Sequence, residues 1–386
     1  MQCHSGFMAR NDDYSDVSIS RRKLLGSVGV GTVFSTNIQV VGAIQGNPTV
    51  EIPIAEANDE VVATMEVPQN WWQREQQYRR VQSNLETRYR SREEVRDVFR
   101  SYRGENISGK AIPSVTIGVK SQREKRHIPN KSEGVDIETV VSQDQIPACY
   151  NNDFYSVTYG GYLVSDSPDE ERAGTLCCRV DYNGSNKMIT AHHIWGDCDD
   201  QDISGMSAYR EDHWWGNVES HYPERDIAVV DNDGAASTVL QDEIETAETQ
   251  NDSTDIVGID GVVTNASALT GETVHKTGIT TGYTTGTLTS VDRDPTYGDC
   301  RNWNSRGYGI QDSNSQLLAQ GDSGGPSWVE YQGDLYILGM NLAVDGADGI
   351  VTGCENYDKF VSDKAIGLTA EAIEDFTGFT FPYPDL

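Results

Sequence analysis

The sequence predicts an all-β body of sandwich or barrel type behind a small α+β N-terminal region. Two observations carry this. From about residue 148 onward, short runs rich in Thr, Tyr, Val and Gly recur at regular spacing, each bounded by turn residues. The 386 residues also hold 37 Gly but only 12 Pro, a balance that suits many tight turns better than a collagen-like or disordered chain. The runs are 154–164, 175–182, 187–191, 226–230, 256–263, 272–275, 286–291 and 335–342. Residues 241–255 are acidic and lack a clear period, so they read as a connection between two β units, 148–245 and 246–386. A C-terminal helix is expected at the end of the second.

The region ahead of the body divides in two. Ser20-Arg21-Arg22-Lys23 precedes an uncharged Gly/Ser-diluted stretch, residues 24–45. Paired arginines before a weakly apolar run resemble a twin-arginine export signal, here 1–46, and predict a secreted protein; a membrane anchor is the other reading of the same stretch. Residues 47–147 then form a linker and a candidate prosegment. Residues 71–102 read as helix, from Val81, Leu85, Val95, Val98, Phe99 and Tyr102 at 3–4 spacing with no Pro or Gly. Ser91 and Glu94 fit a capping box that would start a second helix there. A strand is expected over 112–120, and the basic stretch 122–131 marks a boundary. The region is either a removable prosegment that assists or inhibits the body, or an ordinary N-terminal subdomain.

Charge separates these parts. The net charge is −30, yet residues 71–131 hold 15 basic and 7 acidic residues while 132–386 hold 11 and 45. A body so acidic excludes a nucleic-acid binder and docking on anionic membranes. It fits adaptation to high salt, where carboxylates hold water and cations and screening weakens their repulsion. The plainer reading is a solvated acidic surface.

The chemistry concentrates in three places. Gly321-Asp322-Ser323-Gly324-Gly325-Pro326 sets a serine between glycines, which lets backbone N–H groups converge on a reacting oxygen. A serine hydroxyl needs a base. Thr190-Ala191-His192-His193 supplies one at the end of an apolar run, and Asp226-Ile227-Ala228-Val229-Val230 places a carboxylate at the head of a buried strand, where it can fix an imidazole tautomer. Asp345 and Asp348 lack the ligand alternation of a calcium loop and read as a solvated turn. No zinc-ligand spacing, phosphate loop or dinucleotide fingerprint occurs, so no cofactor and no metal are expected.

With His, Asp and Ser in this order, residues 150–375 resemble the chymotrypsin-fold (trypsin-like) serine proteases. The likeness is greatest to the bacterial branch of streptogrisins and α-lytic protease, through Val274-His275-Lys276-Thr277-Gly278-Ile279-Thr280-Thr281-Gly282 and Gly286-Thr287-Leu288-Thr289. The resemblance implies two six-stranded antiparallel β-barrels packed together. It implies a catalytic set of His193, Asp226 and Ser323, with His192 as the neighbouring candidate base, and an oxyanion hole of the Gly321 and Ser323 N–H groups. It implies a pocket near Leu317, Gln320 and Leu342, with an apolar or medium-sized preference because no Asp stands at Leu317, and an edge strand near Leu342-Ala343-Val344 that pairs with the backbone of the peptide. It implies a His-loop disulfide from Cys178, for which Cys198 is the candidate partner and Cys177 a competitor. Finally, it implies a buried pair of Lys276 with Asp322 that orders the oxyanion loop in place of a freshly cut N-terminal amine. The expected function is a secreted, salt-adapted serine endopeptidase, made as a zymogen, whose partners are peptide or protein substrates and its own prosegment. The alternatives are a protease-like binding or adhesion protein without turnover, and an esterase using the same residues.

Overall fold

The computed structural model describes residues 48–141 and 157–381, apart from 90, 93, 170–171, 197–201, 211, 234–238, 246–255, 298–299, 302–305, 313–316, 346–348 and 355–356. The twin-arginine stretch, Cys149 and Cys198 therefore lie outside the described residues.

The N-terminal lobe begins with a hairpin of β1 (Thr49–Ala57) and β2 (Glu60–Pro68). Its turn, Asn58-Asp59, has both φ angles positive, at 50° and 62°, the twist that two-residue hairpins favour. Helix α1 (Gln69–Tyr89) follows and buries Trp71, Val81, Leu85 and Tyr89 along one stripe. The Trp71 indole donates to the Ala111 carbonyl at 2.7 Å. Next come β3 (Val95–Ile107), β4 (Lys110–Val119) and β5 (Val135–Val141), the last parallel to β4.

The helix expected through residue 102 thus ends at Tyr89, and no second helix starts at Ser91. The reason is burial on both sides of β3. Val98, Arg100 and Tyr102 face α1, while Asp97 and Phe99 face the body, so the apolar residues lose the alternation of a half-exposed strand.

The first barrel takes β6 (Leu163–Ser165), β7 (Ala173–Thr175), β8 (Arg179–Tyr182), β9 (Ser185–Thr190), β10 (Ser207–Arg210), β11 (His213–Tyr222) and β12 (Ile227–Val230). They pair in the order β8-β9-β12-β11-β10-β6-β7. Since β7 and β8 are two halves of one run of chain, the sheet curls back on itself. Its core holds Val164, Leu176, Met188, Ile189, Trp215 and Val229. Cys177 and Cys178 sit in the same core as free thiols with sulfurs 3.7 Å apart. The expected bridge from Cys178 is therefore not formed: its side chain points into the apolar interior.

The second barrel takes β13 (Gly261–Val263), β14 (Thr273–Lys276), β15 (Thr284–Arg293), β16 (Gly307–Gln311), β17 (Pro326–Tyr331), β18 (Asp334–Val344) and β19 (Lys364–Thr369). Strands β18-β17-β14-β15-β16-β19 form a closed ring, since β19 returns to β18. Helix α2 (Ala370–Thr377) ends the body, capped by the Thr369 hydroxyl at one end and by Gly378 at φ 74° at the other.

The lobe does not sit apart from this ring. β1 pairs with β13 on one side and β3 pairs with β15 on the other, Ser101 opposite Ser290. Ile54, Val67 and Trp71 share one core cluster with Leu288, Ile310, Leu317 and Leu338. Among the described residues no helix is long and apolar enough to cross a membrane, and no group of three His, Cys, Asp or Glu could hold a metal ion.

Candidate active site

The register of the first barrel brings His193 and Asp226 together. β9 and β12 run antiparallel with Thr190 opposite Ala228, so the residues just beyond β9 meet those just ahead of β12. The His192 N–H donates to the Asp226 carbonyl at 3.2 Å, which extends the ladder by one rung. The chain then turns through a short 3₁₀ segment, His192–Ile194, that aims the His193 ring back at Asp226. The His193 backbone N–H donates to Asp226 Oδ1 at 2.9 Å, and Nδ1 lies 2.8 Å from Oδ2. Asp226 is fully buried and left-handed, at φ 55°, a conformation Asp tolerates better than most residues. Two bonds from one residue fix the carboxylate, and the carboxylate fixes the imidazole. His192 points elsewhere, its ring 5.5 Å from that of His221.

Ser323 lies in the loop between 319 and 325, held by both barrels. The Thr175 N–H donates to the Ser323 carbonyl at 2.7 Å and the Thr175 hydroxyl to the Gly321 carbonyl at 2.6 Å. The Thr190 hydroxyl, three residues before His193, donates to the Thr175 carbonyl at 2.7 Å. From the other side, the Gly324 N–H donates to the Asn341 carbonyl at 2.7 Å, and the Asn341 N–H to the Gly325 carbonyl at 2.8 Å. Gly324 has φ +89°, and a Cβ there would lie 2.2 Å from the Thr175 carbonyl oxygen, so only glycine fits. The Ser323 hydroxyl, fully buried, donates to the Leu342 carbonyl at 2.8 Å.

Asp322 is the most heavily bonded carboxylate of the site. Lys276 Nζ lies 2.9 Å from Oδ2, and both side chains are fully buried. The N–H groups of Thr280 and Thr281 donate to Oδ1 at 2.9 and 3.1 Å, and that of Ala319 to Oδ2 at 3.0 Å. The Thr281 hydroxyl adds a bond at 2.6 Å. Burial pushes the Lys276 amine below its usual range, and Asp322 pulls it back up. Gly278 allows this approach, since a Cβ there would meet Asp322 Oδ1 at 2.3 Å.

The expected pocket residues differ in their surroundings. Leu317 is fully buried in the second-barrel core with Leu288 and Ile310, and its carbonyl accepts from the Thr284 hydroxyl at 2.9 Å. Leu342 is buried in the cluster shared with the first barrel. Gln320 is partly exposed, and its carbonyl accepts from the Thr280 hydroxyl. Sequence reasoning missed Thr175 and Asn341, which tie down the serine loop. Neither carries a local motif; their partners lie about 150 and 16 residues away along the chain.

No family model matches the chain, and no curated protein matches it. Among solved structures, protease A of Thermobifida fusca is similar over 57% of this chain and 96% of its own, at 20% identity and a TM-score of 0.39. A chymotrypsin of Cellulomonas bogoriensis is similar over 57% and 96%, at 21% identity and 0.37. A glutamic-acid-specific serine protease is similar over 58% and 99%, at 21% identity and 0.41. By the pairing of its own strands, the body of this chain is a mostly-β double barrel of the chymotrypsin-like kind.

Proposed function

We propose that this chain is a serine endopeptidase that cleaves peptide bonds through an acyl-enzyme. The observation that carries the reading is His193 locked to Asp226 by two bonds, at the contact that also anchors the Ser323 loop through Thr175 and Thr190. For attack, the Ser323 hydroxyl turns from the Leu342 carbonyl to His193 Nε2. Its proton passes to that nitrogen as Oγ bonds to the scissile carbonyl carbon. Asp226 keeps the proton of Nδ1 in place and stabilises the imidazolium. The oxyanion meets the N–H groups of Gly321 and Ser323, whose loop Lys276 and Asp322 hold. The imidazolium then gives its proton to the leaving amine, and water attacks the acyl-enzyme by the same route.

The setting of this chemistry is part of the proposal. The twin-arginine stretch suits export of a folded protein, the acidic body suits strong salt, and residues 47–147 act as linker and prosegment, whose basic part, 71–131, complements the acidic body. A fluorophosphonate probe should label Ser323, and casein should be cleaved in molar salt. Labelling with ester but no peptide turnover would favour an esterase; no labelling of a folded chain would favour a binding protein. N-terminal sequencing of secreted material tests export and prosegment removal together.

A further inference from the structure

The lobe and the second barrel exchange ion pairs across β3 and β15. Asp292 and Arg293 are consecutive on β15, at a bulge where Asp292 takes φ 53° and the pairing with β16 slips by one residue. The two side chains nonetheless go to opposite sides, as consecutive residues of a strand do. Asp292 meets Arg100 of β3, which also binds Glu75 of α1. Arg293 turns to the other side and meets Asp97 of β3, with Nη2 and Nε at 2.9 and 3.3 Å from the same carboxylate oxygen. Its remaining prong, Nη1, reaches Asp345 at 2.8 Å.

Asp345 was expected in a solvated turn, and its place is the telling one. It directly follows Leu342-Ala343-Val344, the end of β18, whose Leu342 carbonyl receives the Ser323 hydroxyl. Its own N–H donates to the Lys364 carbonyl at 3.1 Å. Beside it lies a cavity of about 230 Å³, lined by Phe99, Thr116 and Val141 of the lobe and by Arg293, Asp345 and Lys364 of the barrel.

We propose that Arg293 is a positioning residue through which the N-terminal lobe sets the end of the substrate-pairing strand, and so governs the binding of extended peptides. This rests on the endopeptidase reading, in which residues 342–344 pair with the substrate backbone. Arg293 is only 7% exposed, and the Phe99 ring lies 4.2 Å from its guanidinium carbon. A buried guanidinium holds its charge where opposite charges surround it, and a planar fork can serve two carboxylates at once. Take away Arg293, and Asp97 and Asp345 are left near each other without a cation between them. Take away Asp97, and Arg293 keeps a partner on one side alone, so the end of β18 loses its tie to the lobe. Gly309 leaves the room this needs: a Cβ there would lie 3.3 Å from Arg293 Cδ and 2.2 Å from the Ser290 hydroxyl.

The test uses the full chain with Arg293→Met, Asp97→Asn and Arg293→Lys. Amide hydrogen exchange at 342–345 is read beside hydrolysis of a four-residue peptide and a single-residue ester. In Arg293→Met, exchange at Asp345 should quicken by about tenfold or more, and KM for the four-residue peptide should rise by about tenfold while kcat stays within about twofold. The short ester should be hydrolysed as before. Asp97→Asn should move both readouts the same way by less, and Arg293→Lys should recover part of each. Exchange at Asp345 unchanged in Arg293→Met, or an equal effect on the peptide and the ester, would overturn the inference. Should the full wild-type chain hydrolyse neither substrate while secreted material that has lost the lobe hydrolyses both, the lobe only blocks the site and the inference is overturned; should neither form hydrolyse them, the endopeptidase reading falls and the role in peptide binding with it.

Discussion

Two buried cations serve the two sides of the candidate site, and they are held differently. Lys276 finds Asp322 within its own barrel, 46 residues on, in a nest of backbone N–H groups from Ala319, Thr280 and Thr281. Arg293 divides its fork between Asp345 of its own barrel and Asp97 of the lobe, 196 residues away. The bonds to the serine loop given above thus come from the two barrels, whereas the strand end beside it is tied to the lobe as well, through Arg293. Rate and substrate grip should therefore be separable by mutation.

The largest effect sets the floor for that comparison. Ser323→Ala should cut peptide hydrolysis by about 10³-fold or more with the fold intact by circular dichroism. A folded variant that keeps substantial activity would place the nucleophile elsewhere. Lys276→Ala tests the self-contained side. Breaking a buried pair typically costs about 3–5 kcal/mol, so kcat should fall about a hundredfold or more while the lobe stays docked. Normal kcat in that variant would return the oxyanion loop to dependence on a free N-terminus.

Arg100→Met attacks the shared side away from the site. It leaves buried Glu75 with only the Tyr102 hydroxyl and the more distant Arg79, and takes from Asp292 its ion pair with Arg100, so thermal stability should drop by several degrees, in line with about 3–5 kcal/mol. Labelling of Ser323 by a fluorophosphonate should stay within about twofold at temperatures where the chain is folded. A collapse of labelling would mean that the serine loop, too, leans on the lobe.

Solvent conditions give gentler tests. With 45 acidic against 11 basic residues beyond residue 131, the melting temperature should climb from dilute buffer to molar potassium chloride. At that strength charges farther apart than about 3 Å are screened. A flat or falling curve would reject salt adaptation.

The smallest effect concerns Glu86 of α1. Burial, and then the nearby Asp292 carboxylate, push its pKa up to about 8, against a bond from the Gln82 amide that lowers it. A carboxyl raised in the folded state stabilises fully below its unfolded value of 4.5, and that contribution is lost as pH rises through about 8. Melting temperature should therefore decline between pH 5 and 9, and Glu86→Gln should flatten the decline. An unchanged slope in the variant would assign the alkaline loss to other groups.

Much of the body was legible because its signals are local. Glycine- and threonine-rich runs with turn residues between them mark strands of either barrel, and His193, Asp226 and Ser323 each sit in a short, distinctive motif. What stayed hidden depends on distant partners. Strand β3 read as helix because α1 covers one of its faces and the second barrel the other, which erases the period-two pattern. Asp345 read as solvated because nothing near it in sequence announces Arg293. Cys178 read as bridged because a spacing cannot tell a thiol that faces the core from one that faces a partner.

The lobe's β1 pairs with β13 and its β3 with β15, so the sheet of the second barrel is extended by lobe strands at two places. A body stripped of residues 48–141 would open two short rows of backbone donors and acceptors, at Val262 and Val263 of β13 and at Ser290 and Val291 of β15. Such rows are templates for adding any passing extended chain, including another copy of the same protein. In that sense the lobe covers strand edges that would otherwise be open to association with a neighbouring molecule.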